Sequence, residues 1–498
     1  MKKIASNTII LYSSVVIIAI INLYTTRFLL GVLGSEDYGI YFLVAGLVSL
    51  LSFLNLAMTT STLRFNAYYL GKEDRDLQSK VFNTSFILHV IMAIGIFIVL
   101  QIIGLPLINN VLNIPPDKIG VSREIMRFVI LSIFFTIIGV PFESIINAHE
   151  NMLLFSLISV IDAILKFVAV FFLFFINSDK LFWYSVLVSL VPLCTLLIKI
   201  AVCTRNYKEA RLALSMYDRK IMKEIFSFSV WNLFGAMSNM LKSQGVAMII
   251  NVFYGVLLNT SYSIANQVNS VMTVLSSSLQ KSTNPIIMKN EGAGNRDISL
   301  DYAIMQCRIS ILLLIVFAIP VIFNMPFILN LWLVNVPEYT IIFCRLLLVS
   351  TILLQFTTGI QVAIQSVGKI RNYQIAMAFL IFLNFPLSYI LLKLGFPPYS
   401  VLFCAIALEF ISIFVRVLFA TKLTGMKLEN YVKGIFKPIL CIAIGSIISF
   451  ILYTLIIHHS VINKLFLLIS QIIVFIIVVY NVGLNDTEKN TIKLFVKR

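Results

Sequence analysis

Runs of twenty or more mainly apolar residues recur along almost the whole chain, separated by short polar stretches, and no other feature narrows the possible folds so far. The hydrocarbon core of a bilayer is about 30 Å thick, so a helix that crosses it needs about 20 such residues. The pattern predicts about fourteen spans, at residues 8–30, 37–60, 82–105, 123–147, 152–176, 181–203, 225–253, 257–280, 302–323, 339–366, 372–394, 399–421, 434–457 and 462–483. Alternation with a period of two residues is absent, which argues against a β-barrel. Composition agrees: 59% of the 498 residues are apolar and 12% are charged, whereas a soluble domain carries about a quarter charged residues. The expected fold class is all-α integral membrane. The first run follows Lys2-Lys3 in the manner of a signal peptide. It continues to about Leu30 with no small-residue cleavage site, so it reads as the first span.

The net charge of +16 is a statement about topology. With the N-terminus in the cytoplasm, and basic residues towards span ends counted with the adjoining loops, 28 of the 38 Lys and Arg fall on cytoplasmic segments, 5 on external ones and 5 in membrane interiors. That bias follows the positive-inside rule. It places both termini in the cytoplasm and makes nucleic acid an unexpected partner. Six cysteines without paired spacing read as small buried hydrophobes. The four histidines form no metal set, and no phosphate-cradling glycine loop is present, so neither metal, cofactor nor ATPase chemistry is expected.

An internal repeat organises the spans. The stretch from Arg64 to Gly71 and the charges after it match Pro285 to Gly292 and Asn295-Arg296-Asp297 in position and character. Pro141 to Met152 matches Gly359 to Ile370, each with an amide (Asn147, Gln365) just before a very short turn. Six helices per half is an even number, so the halves keep one orientation, as in parallel-repeat transporters. The expected domains are an N-terminal lobe at 1–203, a basic cytoplasmic linker at 204–224, a C-terminal lobe at 225–421, and a linker, two helices and a tail at 422–498.

An ionisable group at bilayer depth costs at least about 2.5–3.5 kcal/mol, so it must face protein or water. The candidates are Arg27, Arg127, Glu143, Asp162, Lys166, Lys242, Arg345 and Glu409. Asp162 and Lys166 lie one turn apart in the fifth span, which fits either a self-neutralising pair or a gate whose pairing changes. Lys242 has no acid within one turn, and Asn232 and Asn239 share its face. Arg127 and Arg345 are close enough to the outer boundary to snorkel, and the same reading is open for Arg27. Glu409 has Arg416 two turns on, and Glu143 lies near the cytoplasmic end of the fourth span. The eighth span is unusually polar, with Asn266, Ser270 and Thr273 among its side chains, and the tenth adds Gln355, Thr358 and Gln361. Such residues serve interhelical hydrogen bonding or line a watery path suited to sugar hydroxyls. Short external loops and the lack of a nucleophile–base set favour a transporter over an enzyme.

Taken with Arg27 to Gly34, Asp37 to Tyr41, Arg64-Phe65 with Gly71, and the Asn284-Pro285 break, the chain resembles a polysaccharide or O-antigen flippase (Wzx-like) of the multidrug/oligosaccharidyl-lipid/polysaccharide exporter superfamily. The resemblance spans essentially the full length and implies a MATE-like pair of six-helix lobes plus two C-terminal helices, in the bacterial inner membrane. It implies an undecaprenyl-diphosphate-linked oligosaccharide of O-antigen or capsule type as substrate, moved by alternating access. A proton or sodium gradient, membrane lipids and the polysaccharide polymerase machinery are the partners it implies. Lys242 and Arg27 would then suit the diphosphate. Asn232, Asn239, Asn266, Ser270, Thr273, Gln355, Thr358 and Gln361 would suit the glycan. Asp162, Lys166, Glu143 and Glu409 would serve ion coupling or gating. A multidrug–cation antiporter, a lipid II flippase and a membrane glycosyltransferase or polymerase stay open as alternatives. Against the antiporter, interior bases outnumber acids.

Overall fold

The computed structural model describes residues 2–49, 52–110, 115–333, 335–455, 460–486 and 488–490, with side chains throughout except chiefly around 42–53, at 239 and 241–244, and around 255–259. Among these residues the fold is helical throughout. In chain order the helices are α1 (Lys2–Ser49), α2 (Ser52–Gly71), α3 (Arg75–Asn110), α4 (Ile119–Ala148), α5 (Met152–Phe172), α6 (Lys180–Asn206), α7 (Arg219–Gly292) and α8 (Arg296–Phe323). They continue with α9 (Met325–Trp332), α10 (Thr340–Gln355), α11 (Thr358–Val367), α12 (Arg371–Lys393), α13 (Ser400–Thr424), α14 (Leu428–Leu455) and α15 (Val461–Val478). Ten helices among the described residues are long and apolar enough to cross a membrane, or eleven if α10 and α11 count as one bent span.

The expected segmentation differs from the helices in three places. The first span ends at Gly34, where φ of 75° and ψ of 174° interrupt α1, and the second lies partly in α1 and partly in α2; the Gly34 conformation suits glycine because it lacks a Cβ. The seventh and eighth spans lie within α7, whose 74 residues would extend about 110 Å at 1.5 Å per residue, far beyond a bilayer. The tenth span is divided into α10 and α11, which meet at 44°.

The chain forms two compact units, residues 6–236 and residues 1–5 with 237–498. In the first, α4 is the central post. It is half buried along its span, whereas α1 and α3 are mostly exposed. Around it pack Leu29, Tyr41, Leu100, Ile125, Met126 and Tyr184 towards one end, and Phe82, Phe142, Ile146, Ile158 and Leu196 towards the other. The peripheral helices carry their apolar side chains outward, as Leu153, Leu157, Ile164 and Phe171 do on α5. In water such rows would be a liability; against lipid tails they need no cover.

In the second unit α8 is the most buried span. It meets α11 at Gly359, where a Cβ would fall 2.0 Å from the Ala303 carbonyl oxygen, so only glycine allows this approach of the two backbones. The Gly359 N–H donates to Cys307 Sγ at 3.2 Å. The α10–α11 break exposes backbone groups that the bilayer could not satisfy. Tyr431 donates its hydroxyl to the Phe356 carbonyl at 3.1 Å, and Arg416 donates to Thr357 Oγ1 at 2.8 Å. Both short turns read from the sequence are formed. The α4–α5 turn uses a left-handed Glu150 (φ 58°) and the α11–α12 turn a left-handed Gly368 (φ 88°). Asn151 then caps α5 by accepting from the Leu154 N–H.

Candidate functional site

Helices α1, α4, α5 and α6 of the first unit enclose a polar cavity of about 330 Å³. Asn22 enters from α1, Glu143 from α4, Asp162 and Lys166 from α5, and Thr195 and Lys199 from α6. Two ion pairs organise it. Lys166 Nζ stands 2.7 Å from Asp162 Oδ2, and Lys199 Nζ stands 2.8 Å from Glu143 Oε2. Helical geometry explains the first pair, since residues four apart share a face. The second needs α4 and α6 side by side, which their packing against Phe142 and Leu196 provides. With two carboxylates and two ammoniums the cavity is neutral as it stands. Protonating either acid would leave one ammonium uncompensated.

A second cavity of about 370 Å³ lies in the same unit, bordered by Tyr41, Asn55, Ser132, Thr136 and Pro192. Lys166 borders both cavities. Asn55 Oδ1 is buried and accepts no hydrogen bond among the described residues. One long cationic side chain is thus placed between a chamber of paired charges and a mainly apolar chamber that carries the Asn55 amide and the Ser132 and Thr136 hydroxyls.

Three of the four residues read as coupling candidates, Asp162, Lys166 and Glu143, are therefore brought together. Glu409 is not among them. It lies in the second unit, 7% exposed, and pairs with the equally buried Arg416 at 2.9 Å. Ser412 Oγ also donates to it at 3.0 Å. This pair stands at the α10–α11 break, through the Arg416 contact with Thr357.

The residues read as glycan-lining are dispersed. Asn232, in the first unit, is buried and donates to Ser61 Oγ at 3.2 Å. In the second unit Gln355 is buried and accepts from Gln280 Nε2 at 3.2 Å, and the buried Thr358 donates to the Gln355 carbonyl at 3.3 Å. Asn266 and Ser270 bond back to their own helix, at Tyr262 and Asn266 respectively, and Thr273 donates to the Ser270 carbonyl. Ser270 is exposed and Gln361 half-buried. Asn269 and Thr283 of the same polar stretch pair with Thr351 and Gln306, so much of its polarity is spent on helix packing. Arg27 is exposed on α1 and lines neither cavity. The side chains of Lys242 and Asn239 lie outside the described residues.

Lys199 is the cavity residue that the sequence reading passed over, because it sits at the end of its span and counts naturally with the basic loop that follows. Its i,i+4 relation to Thr195, which marks a polar stripe on α6, is the signal that identifies it.

Near the α4–α5 turn, His149 Nε2 lies 2.5 Å from Glu209 Oε1, and its ring stacks on Tyr207 with centroids 4.4 Å apart. Burial pushes the Glu209 carboxyl up, but the His149 hydrogen bond and the charge of Arg75 outweigh it and leave it below the usual carboxylate range.

The family model for polysaccharide biosynthesis proteins matches residues 4–291. No curated protein matches the chain. Among solved structures, a mutant MATE transporter is similar, with a TM-score of 0.74 at 16% identity, covering 85% of this chain and 96% of the other. A multidrug-resistance MATE-family transporter of the MOP superfamily in an outward-facing conformation gives 0.73 at 15% identity, covering 85% and 95%. A MOP-superfamily transporter from Pyrococcus furiosus, described as having a binding pocket of reversed polarity, gives 0.70 at 16%, again covering 85% and 95%.

Proposed function

Since the chain belongs to the polysaccharide biosynthesis protein family and has the MATE-type transporter fold, we propose that it flips undecaprenyl-diphosphate-linked oligosaccharide repeat units, of O-antigen or capsule type, across the bacterial inner membrane by alternating access. The observation that carries this reading is the family match across 4–291 on an exporter fold. Lys242 and Arg27 are the proposed partners of the diphosphate, because basic side chains suit a compact dianion. The amides and hydroxyls of α7 and α11 that remain half-buried or exposed, Asn266, Ser270, Thr273 and Gln361, are the proposed glycan contacts.

The paired charges around Asp162 support coupling to protons rather than sodium. Each carboxylate already has an ammonium within 2.8 Å, so an entering metal cation would meet two fixed positive charges. A proton meets the same field but needs no coordination shell, since it adds to one carboxylate oxygen. It neutralises Asp162, frees Lys166 from its partner, and lets the ammonium turn to the Asn55 chamber. Glu409, locked to Arg416, is better suited to holding the α10–α11 break.

The test is deletion of the gene in its source organism, with assay of surface polysaccharide and of carrier-linked oligosaccharide. Complete repeat units trapped on the cytoplasmic leaflet, with loss of surface glycan, are the expected result. Incomplete units would point to an enzyme. Normal surface glycan in a strain with no second flippase would turn the reading to a multidrug antiporter.

A further inference from the structure

A polar cleft of about 790 Å³ opens in the second unit between α8, α14 and the segment that follows α15. Its size falls within the range of about 300–1,000 Å³ typical of small-molecule sites. It contains Asp301 and Arg308 from α8, Lys433 and Lys437 from α14, and Asn485 and Glu488 beyond α15. Asp301, Lys433 and Lys437 lie in the first three turns of two membrane-crossing helices, Arg308 one turn deeper, and Asn485 and Glu488 just beyond the end of a third, so the cleft opens at a membrane border. The charge bias of the sequence reads that border as cytoplasmic.

Among the side chains that line the cleft, three are basic and two acidic. Arg308 and Glu488 form an ion pair with side chains 12% and 4% exposed, and Glu488 also accepts the Asn485 N–H at 2.8 Å. Glu488 is thereby fully used. Among the described residues Lys437 Nζ meets a neutral acceptor, Asn485 Oδ1, at 2.6 Å, although an ammonium carries three donors. Lys433 contacts Glu429, but both side chains are more than 70% exposed, and such pairs are worth little. Lys433 and Lys437 lie one turn apart on the same face of α14. Between them Gly434 lets α14 press on α8, since a Cβ there would fall 2.3 Å from Ile304 Cγ2. The buried Arg308 Nε donates to no acceptor among the described residues. Two ammoniums thus border one space, with the exposed carboxylates of Asp301 inside it and Glu429 against Lys433 at its rim.

A ligand for this arrangement needs several anionic oxygens in a compact group and must be abundant at the membrane border. We propose that the cleft binds the phosphate of an anionic phospholipid headgroup, with Lys433 and Lys437 as its ligands. Basic pockets between membrane helices at the cytoplasmic side take such headgroups on electrostatic grounds. The site is separate from the cavities of the first unit, so this inference stands or falls independently of the transport reading.

The test uses the purified full-length protein and native mass spectrometry with phosphatidylglycerol or phosphatidylcholine. Wild type is expected to retain phosphatidylglycerol about ten-fold or more over phosphatidylcholine. The double variant K433Q/K437Q should bring that ratio close to one, and K433R/K437R should restore it. The variants K208Q/K220Q remove the same charge from exposed positions and should leave the ratio unchanged. An unchanged preference in K433Q/K437Q, or an equal loss in K208Q/K220Q, would overturn the site. If inorganic phosphate displaces the lipid and protects wild type, but not K433Q/K437Q, against thermal unfolding, the lipid assignment falls in favour of free phosphate.

Discussion

Asp162 and Lys166 show how exposure decides what an ion pair is for. Their side chains are 32% and 43% exposed, and a pair so wet contributes no more than about 1 kcal/mol to stability. Asp162→Asn should therefore leave the yield of monodisperse protein near wild type. Flipping should fall by about ten-fold or more, the size of an ordinary coupling energy, and trapped carrier-linked glycan measures it. Equal loss of yield and activity would make the pair structural. Outside the membrane, Glu209 gives a pH dependence of definite sign. Its folded carboxyl lies below its ordinary value, so its contribution is complete above that ordinary value and is lost as pH falls through the folded one. Hydrogen exchange of residues 207–211 should stay slow down to the usual carboxylate range and accelerate only at more acid pH, with Glu209→Gln removing the step. At this scale the sequence was a partial guide. It singled out Asp162, Lys166 and Glu143 because charge in an apolar run is conspicuous. It passed over Lys199, since a lysine near a helix end has snorkelling as a ready alternative.

Spans were legible because lipid demands long apolar runs whatever the tertiary contacts. The break between α10 and α11 was not, because its Thr357 hydroxyl is held by Arg416 and its Phe356 carbonyl by Tyr431, 59 and 75 residues further along. Nothing local marks Phe356-Thr357 as a place to stop a helix. The two short turns were easier: an amide beside a tight connection between two long helices is a local signal, and the left-handed residues Glu150 and Gly368 complete it. The α8–α11 contact yields the sharpest prediction for an element. A methyl group at Gly359 would collide with the Ala303 backbone, which has no rotamer with which to move aside. Gly359→Ala should cost about 3 kcal/mol or more, the upper end for overpacking. Its signature is loss of the monodisperse peak in size-exclusion chromatography. Gly39→Ala, which meets nothing within 4 Å, is the matched control.

For the molecule as a whole, the charge bias makes a prediction about orientation. A green fluorescent protein fused after Arg498 should fluoresce and alkaline phosphatase at the same place should stay inactive, since both termini are read as cytoplasmic. The reverse pattern would invert every assignment of a loop to a side. The cavity of paired charges also limits how hard such a machine can push. Its two carboxylates admit no more than two protons per cycle under the proposed coupling. Each proton crossing a potential of 100 mV releases about 2.3 kcal/mol. At about 1.36 kcal/mol per decade, the protons' share of the ratio of repeat units between leaflets is at most about fifty-fold for one proton and about two thousand-fold for two. Sustained export would then depend on a polymerase consuming units as they arrive.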